Sequence, residues 1–89
     1  MNHIIRLSLR SNEGALIRAL GLTERRGFRL VSCHLQDAAM NQQRLDLTVS
    51  SSRSIQTLRH QLERLHDVVE VTCFTLTESE PQTISAVGN

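Results

Sequence analysis

The side chains that could do chemistry are few and widely spaced in this sequence. Cys33 and Cys73 are the two cysteines among 89 residues, and there is no Cys-x-x-Cys motif to indicate a zinc or redox site. His34 follows Cys33, but neighbours on a strand point to opposite faces and cannot bind one metal ion together. We therefore expect no metal site, and we interpret both cysteines as buried, reduced thiols.

The acidic and hydroxyl side chains also fail to form a catalytic arrangement. Asp67 could act as a catalytic carboxylate only beside a partner base, and the sequence offers no convincing one. The run Ser50–Ser52 is typical of turns and helix caps. Arg25 and Arg26 suit the C-terminal end of a helix, where positive charge is favourable, better than they suit a phosphate site. We therefore predict no catalytic residue on this chain.

Composition excludes two further classes of function. The formal net charge is +1, without the concentrated basic field that binding to phosphate backbones requires. Two phenylalanines, with no tryptophan or tyrosine, leave almost nothing to stack on bases. No stretch approaches the ~20 apolar residues of a membrane span, and the apolar run at the start is too short and too charged for a signal peptide. We expect no nucleic acid and no membrane as partners, and a cytoplasmic location.

Two periodicities predict the elements that position these residues. Apolar residues alternate with polar ones in some segments, as in strands buried on one face, and recur at helical spacing in others. Asn12 is the expected cap of the first helix and Gly27 its stop, while Ser51 or Ser52 should cap the second helix. The predicted order is a strand over Ile5–Leu9, a helix over Leu16–Thr23, strands over Phe28–Gln36 and Leu45–Ser50, a helix over Ile55–Leu65, and a strand over Val68–Thr75.

This order predicts a single small α+β domain. Two βαβ units with right-handed crossovers interleave into a four-stranded antiparallel sheet with both helices on one face, which is the ferredoxin-like βαββαβ arrangement. A faint repeat with a period of forty residues, in which Leu22 corresponds to Leu62, suits this symmetry. We assign residues 1–77 to the domain and residues 78–89 to a polar tail that we expect to be mobile. The other sheet face, or a sheet edge, should remain for a partner chain.

Several classes of protein share this strand order, and each lacks a required feature here. An RNA-recognition motif needs aromatic residues on its central strands, which read IIRLSLR and RLDLTVS. A copper chaperone needs Cys-x-x-Cys after the first strand, where this chain has Ser11–Gly14. An acylphosphatase-like enzyme needs a glycine-rich loop after Arg10, and this loop has a single glycine. We set these three classes aside.

Three segments carry a resemblance to a known family: the loop SNEGAL, the helix end RRGF and the final LERLHDVVEV. In order and spacing, the patterns over residues 4–35 and 45–71 are similar to the small regulatory subunits of acetohydroxyacid synthase, also called acetolactate synthase. The core of those subunits is an ACT domain. The length of the chain resembles the short subunits of the isozyme-II type.

The resemblance implies a non-catalytic subunit that activates a separate large subunit. In this family the large, catalytic subunit carries thiamine diphosphate, Mg²⁺ and FAD, so no cofactor is expected on this chain. ACT domains pair side by side, which implies a homodimer or a higher even oligomer. The implied effector, a branched-chain amino acid, lies where the loop after the first strand meets the second strand of the other protomer. The site residues carried over are Ser11, Asn12, Gly14, Ala15 and Leu16 from one chain and Arg29 and Leu30 from the other.

Two positions depart from the valine-sensitive pattern of that family. Ser11 and Arg29 stand where the pattern resembles asparagine, so two amides that could hold an amino-acid zwitterion are missing. Arg29 offers only donors and would repel the ammonium group of a ligand, and we expect valine binding to be weak or absent. Gly14 would let a ligand approach the backbone, but it would also serve an ordinary turn. The alternative function is a free-standing ACT-domain dimer that senses an amino acid and regulates another protein.

Overall fold

The computed structural model of this chain describes residues 1–76, which form one sheet and two helices. The sheet is antiparallel with the strand order β2-β3-β1-β4, and this confirms the predicted ferredoxin-like βαββαβ fold. The predicted tail, residues 78–89, lies outside the described residues. The elements are β1 (Asn2–Arg10), α1 (Ala15–Arg25), β2 (Arg29–Asp37), β3 (Gln42–Ser50), α2 (Ile55–Glu63) and β4 (Val68–Leu76).

The core lies between the sheet and the two helices. Ile5 and Leu7 of β1 are fully buried and face Leu47 and Leu45 of β3 across the antiparallel pair. Their alternation with polar residues in the sequence is the cause, because successive strand residues point to opposite faces. Leu62 of α2 belongs to the same core and is 0% exposed. Each such side chain contributes roughly 1.5–3 kcal/mol on burial.

Helix α1 ends where the sequence predicts. Gly27 has φ 88°, and its N–H donates to the carbonyl of Glu24 at 3.0 Å, while the N–H of Phe28 donates to the carbonyl of Thr23 at 3.2 Å. This pair of bonds is a Schellman motif, which favours glycine at the left-handed position. Phe28 is then buried at 2% exposure, so the turn also directs the chain into β2.

The predicted helix caps are wrong. Gly14, with φ 81°, occupies the position before α1, and no side chain caps that helix. Asn12 instead uses its side-chain amide elsewhere, as described below. Before α2 the cap position is Ser54, again without a side-chain bond. Ser51 comes too early, because its own N–H still donates to the carbonyl of Met1 at the end of the sheet, and its hydroxyl accepts from the N–H of Arg53.

The prediction of two buried thiols holds for neither cysteine in full. Cys73 is half-buried, and burial raises the pKa of its thiol. Cys33 is exposed, although it pairs with the buried Leu47. The reason is position, because among the strands of residues 1–76 β2 lies at the edge of the sheet and borders only β3. Within residues 1–76, neither helix has the length and apolar character needed to cross a membrane.

Candidate functional site

The loop that joins β1 to α1 lies at one end of the sheet beside the β2–β3 turn. Ser11 donates its N–H to the carbonyl of Asn41 at 2.9 Å, which fixes the two turns to each other. Between them is an open cleft of about 300 Å³. Six residues line the cleft: Arg10, Ser11, Asn12, Met40, Asn41 and Gln42. The cleft is therefore open to solvent and lined mainly by polar side chains.

Gly14 is required by its conformation and by its neighbour. Its φ of 81° lies in the left-handed region that a side chain disfavours. In addition, a Cβ at this position would lie 2.7 Å from Nη1 of Arg18. The positive φ is that of a turn glycine, and the group that approaches its backbone within the chain is the guanidinium of Arg18; approach of a ligand stays a prediction.

Asp67, in the turn between α2 and β4, is bonded to both sides of this loop. The residue is only 5% exposed. Its Oδ1 accepts a hydrogen bond from Nδ2 of Asn12 at 2.7 Å. Its Oδ2 accepts from Nε of Arg18 at 3.0 Å and from Nη2 of the same guanidinium. We call Asn12, Arg18 and Asp67 the carboxylate clamp.

Backbone bonds strengthen the same connection. The N–H of Arg10 donates to the carbonyl of Asp67 at 2.7 Å, and the guanidinium of Arg10 donates to the carbonyl of His66. Nη2 of Arg18 also reaches the carbonyl of Glu13 at 3.1 Å. The loop is thus attached to the α2–β4 turn by charged side chains and by the main chain.

The clamp keeps Asp67 ionised at neutral pH. Hydrogen bonds from Asn12 and then from Arg18 lower the pKa of this carboxyl group, and the charge of Arg18 adds to the effect. The ionised form accepts up to four hydrogen bonds, and three are made by side chains of the clamp. Chemically, this aspartate is a structural anion rather than a proton acceptor.

The other predicted site residues lie in two different places. Ala15 is buried at 2% exposure and Leu16 packs against the core, so these two support the loop. Arg29 and Leu30 begin β2 at the opposite end of the sheet, since Arg29 pairs with Ser50 and Ser50 pairs with Asn2. From Asn2 to the loop, β1 spans about 27 Å at the usual rise of a strand. One chain alone does not bring the two halves of the predicted site together.

Two residues of this region were missed by the sequence analysis. From the sequence, Asp67 is considered only as a catalytic carboxylate without a partner base, and Arg18 is given no role. They are 49 positions apart in the sequence, and no local pattern connects them. The available signal was weak: an arginine one turn after Gly14, and an aspartate directly before a strand. Among residues 1–76, no three His, Cys, Asp or Glu side chains lie close enough to hold a metal ion.

The sequence matches known proteins over most of its length. Residues 11–71 match the family described as ACT domain. The acetolactate synthase isozyme 2 small subunit of Escherichia coli strain K12 is 37% identical over 82 residues, which cover 90% of this chain and 94% of that protein. The subunit of the same name from Shigella flexneri matches with the same identity and coverage.

Solved structures share the fold. The acetolactate synthase small subunit from Thermotoga maritima superposes with a TM-score of 0.74 at 22% identity, covering 89% of this chain and 50% of that one. The ACT domain of the GTP pyrophosphokinase of Chlorobium tepidum superposes with a TM-score of 0.72 at 16% identity, covering 83% and 97%. At these identities the likeness shows the fold alone.

Proposed function

The chain belongs to the ACT-domain family and, within it, to the small subunits of acetolactate synthase, and we propose on this premise that it binds and activates the catalytic subunit of that enzyme. It is a regulatory rather than a catalytic subunit. The relationship at 37% identity over nearly the whole of both chains carries the proposal. Thiamine diphosphate, Mg²⁺ and FAD would then reside on the catalytic partner, in the cytoplasm.

The outer edge of β2 is the surface that we propose for pairing with a second copy of this chain. Within residues 1–76 this edge has no neighbour, since β2 borders only β3. A register shift between Leu30 and Ser32 leaves Val31 outside the ladder, 49% exposed. Unpaired N–H and C=O groups on an edge strand are a ready template for another strand. Pairing would satisfy these groups and cover Val31.

A two-fold arrangement of β2 edges would also complete the predicted effector site. In an antiparallel pair of identical strands, the start of one strand lies beside the end of the other. The end of β2 is Asp37, which pairs with Gln43, and Gln43 pairs with Leu9 just before the loop. Arg29 from a second copy would therefore come to the end of the sheet that holds Ser11. We propose this seam as the effector site.

The chemistry of that seam favours a carboxylate more than an ammonium group. The N–H groups of Ser11, Asn12 and Ala15 already donate to carbonyls within the chain. The N–H groups left for the carboxylate of an amino acid are therefore those of Glu13 and Gly14, just before α1. Ser11 has a shorter reach than an asparagine, and Arg29 supplies only donors. The ammonium group of a branched-chain amino acid would meet a like charge, and its binding would be weak. We propose activation as the principal role and feedback inhibition as a minor one.

The face of the sheet away from the helices offers a surface for the catalytic subunit. Phe74 of β4 is 47% exposed there and lies opposite Ile4 of β1. Beside them, Asp46 forms ion pairs with Arg6 at 3.0 Å and with Arg44 at 3.7 Å. An apolar centre with a rim of arginine and carboxylate is typical of interfaces between separately folded proteins.

Reconstitution tests the proposed function. The chain is mixed with the acetolactate synthase large subunit from the same source, and acetolactate formation and co-elution are measured. We expect a stable complex and a higher rate than that of the large subunit alone. The control is the ACT domain of a GTP pyrophosphokinase, which has the same fold at 16% identity. Equal rates with both proteins, and no complex, would contradict the proposal; amino-acid binding without a large subunit would favour a free-standing sensor.

A further inference from the structure

We propose that Asp67 and Arg18 are the positioning residues of the effector loop, so that the conformation of Ser11–Gly14 depends on the charge of the Asp67 carboxylate. The inference rests on the proposed regulatory function and adds a named control point to it. It also gives Asn12 a second role, because the hydrogen bond to Asp67 orients the amide that lines the cleft.

The first support is the burial of the carboxylate. The side chain of Asp67 is 7% exposed, whereas the paired carboxylates of Asp46 and Glu63 are 25% and 40% exposed. Ion pairs on the surface contribute little because water competes with them. A carboxylate with so little exposure takes most of its hydrogen bonds from its partners, so Asn12 and Arg18 hold it in place more firmly than an exposed ion pair would. Among the ion pairs in the described chain, we therefore expect local structure to depend most on the one between Arg18 and Asp67.

The second support is the geometry of the guanidinium. Arg18 donates to Asp67 through Nε and Nη2, and Nη2 also donates to the carbonyl of Glu13. Its third nitrogen, Nη1, lies against Gly14. One planar group thus contacts the anion, the loop backbone and the loop glycine at the same time. Lysine has a single point charge and cannot make the parallel bonds.

The third support is that Asn12, a side chain of the loop itself, is hydrogen-bonded to Asp67. Asn12 donates one of its two Nδ2 hydrogens to Asp67 at 2.7 Å, so this bond fixes the orientation of an amide that also lines the cleft. The N–H groups of Ser11 and Asn12 donate to the carbonyls of Asn41 and Arg10, so the hydroxyl of Ser11 is the polar loop group beside the cleft that makes no bond within the described chain. Loss of the Asp67 charge would weaken its hydrogen bonds with Asn12 and with Arg18. The loop would then adopt several conformations instead of one.

Nuclear magnetic resonance of the isolated chain tests the clamp directly. The side-chain amide signal of Asn12 should shift on acid titration with the pKa of Asp67, and it should be insensitive to pH in Asp67→Asn. Hydrogen exchange of the loop amides should be roughly tenfold faster or more in Asp67→Asn, as expected for loss of a hydrogen bond to a charged group. Glu63→Gln, which removes a surface ion pair on α2, is the matched control and should leave both readings unchanged.

Two variants of Arg18 test the same interaction without changing the buried residue Asp67, whose replacement could prevent folding. The Arg18 side chain is 52% exposed, so Arg18→Lys and Arg18→Gln should fold normally by circular dichroism. Loop exchange should increase in the order wild type, Arg18→Lys, Arg18→Gln. Unchanged exchange in Arg18→Gln, or an Asn12 amide signal that does not follow the titration of Asp67, would overturn the inference.

The activation assay then separates this inference from the proposed function. If Arg18→Gln loosens the loop and lowers activation of the large subunit, the clamp positions the regulatory loop. If the loop loosens while activation stays complete, the clamp still positions the loop, activation does not depend on it, and the inference and the proposed function both stand. If activation is complete and the loop is unchanged, the inference is wrong and the proposed function stands. If the unmodified chain activates no large subunit, the proposed function fails, and the inference fails with it as a statement about regulation.

Discussion

The guanidinium of Arg18 lies over Gly14, with Nη1 at 2.7 Å from the position that a Cβ of residue 14 would occupy. Two constraints therefore meet at one glycine, its positive φ and this contact. We expect Gly14→Ala to lower the free energy of unfolding by about 1–2 kcal/mol from the left-handed backbone alone, with a further loss from displacement of the arginine. Urea denaturation of the wild type and the variant measures the difference.

Gly21 provides the matched control for this change. It lies inside α1, and an added Cβ would meet only Nη1 of Arg25, the mobile end of a side chain, at 3.2 Å. Glycine in the middle of a helix costs roughly 0.5–1 kcal/mol relative to alanine. We expect Gly21→Ala to be neutral or stabilising, so the two glycines should respond in opposite directions. Equal destabilisation by both changes would contradict the role given to Arg18.

Packing of the hydrophobic core can be tested at Leu62 of α2. Its side chain is fully buried, and replacement by alanine leaves a cavity that the neighbours fill only in part. We expect Leu62→Ala to cost about 2–4 kcal/mol of unfolding free energy. Ile17, which is 71% exposed on α1, is the comparison residue, and Ile17→Ala should change stability by less than about 0.5 kcal/mol.

Cys33 allows the proposed seam to be tested by crosslinking. It lies at the middle of β2 and is exposed, so antiparallel pairing of two β2 edges brings two Cys33 thiols close to the two-fold axis. A bifunctional maleimide of short span should link the wild type and Cys73→Ser into covalent dimers, but not Cys33→Ser. A dimer by sedimentation that resists this linkage would place the contact on another surface, and a clean monomer would contradict pairing altogether.

Stability should decrease on mild acidification because of His3. The residue is 4% exposed, and Nδ1 lies 3.1 Å from Oγ1 of Thr75. Burial lowers the pKa of His3 from 6.5, and the nearby N-terminal charge adds to this. The unfolded chain therefore takes up a proton first, and stability is lost as the pH falls from 6.5 towards the lower folded pKa.

Melting temperatures measured from pH 7 to about pH 5 test the role of His3. The decline should be smaller in His3→Gln than in the wild type. His60→Gln, at an exposed histidine of α2, should keep the full decline. An unchanged decline in His3→Gln would mean that other groups cause it.

Protonation of Asp67 should cause a second, separate loss of stability at lower pH. Its pKa is lowered from 3.8 by the hydrogen bonds of Asn12 and Arg18. The stability that the ionised clamp contributes is therefore complete above the unfolded pKa and disappears as the pH falls through the lower folded value. In Asp67→Asn this step should be absent from the pH profile of unfolding, while the step due to His3 remains.

Valine binding should be weak in the natural sequence and should appear in a double variant. Ser11→Asn with Arg29→Asn restores amide oxygens at both sides of the proposed seam and removes the repelling charge. Calorimetry should then detect binding with a dissociation constant in the millimolar range or lower. A millimolar constant corresponds to a binding free energy of about 4 kcal/mol. If the unmodified chain already binds valine at micromolar concentration, Arg29 points away from the seam.

The sequence could predict what depends on periodicity. Ile5 and Leu7 alternate with polar residues, and Leu58 and Leu62 recur at helical spacing, so the buried faces of β1 and α2 follow from local order. The stop at Gly27 follows from backbone conformation. These features need no knowledge of distant parts of the chain, and the structure confirms them.

The sequence could not predict what depends on contacts between distant segments. Asn12 has the side chain of a helix cap, and a buried carboxylate 55 positions away takes its amide instead. Cys33 has the alternation of a buried residue, but its exposure depends on which strand forms the edge. A register shift between Ser8 and Leu9 leaves Val69 45% exposed on β4. Each of these outcomes is set by tertiary neighbours that local patterns do not contain.

The strand order also has a consequence for synthesis of the chain. β1 is made first, yet it lies between β3 and β4. Both hydrogen-bonding edges of this apolar strand stay open until β3 has been translated, and one stays open until residue 76 has emerged. Pairing between β1 and β4 can begin only when Val68 has emerged, and the partner of Asn2, Leu76, is the last residue of the described chain to appear. The nascent chain exposes an aggregation-prone strand throughout that interval, and chaperones that bind extended apolar segments should engage it at residues 2–10.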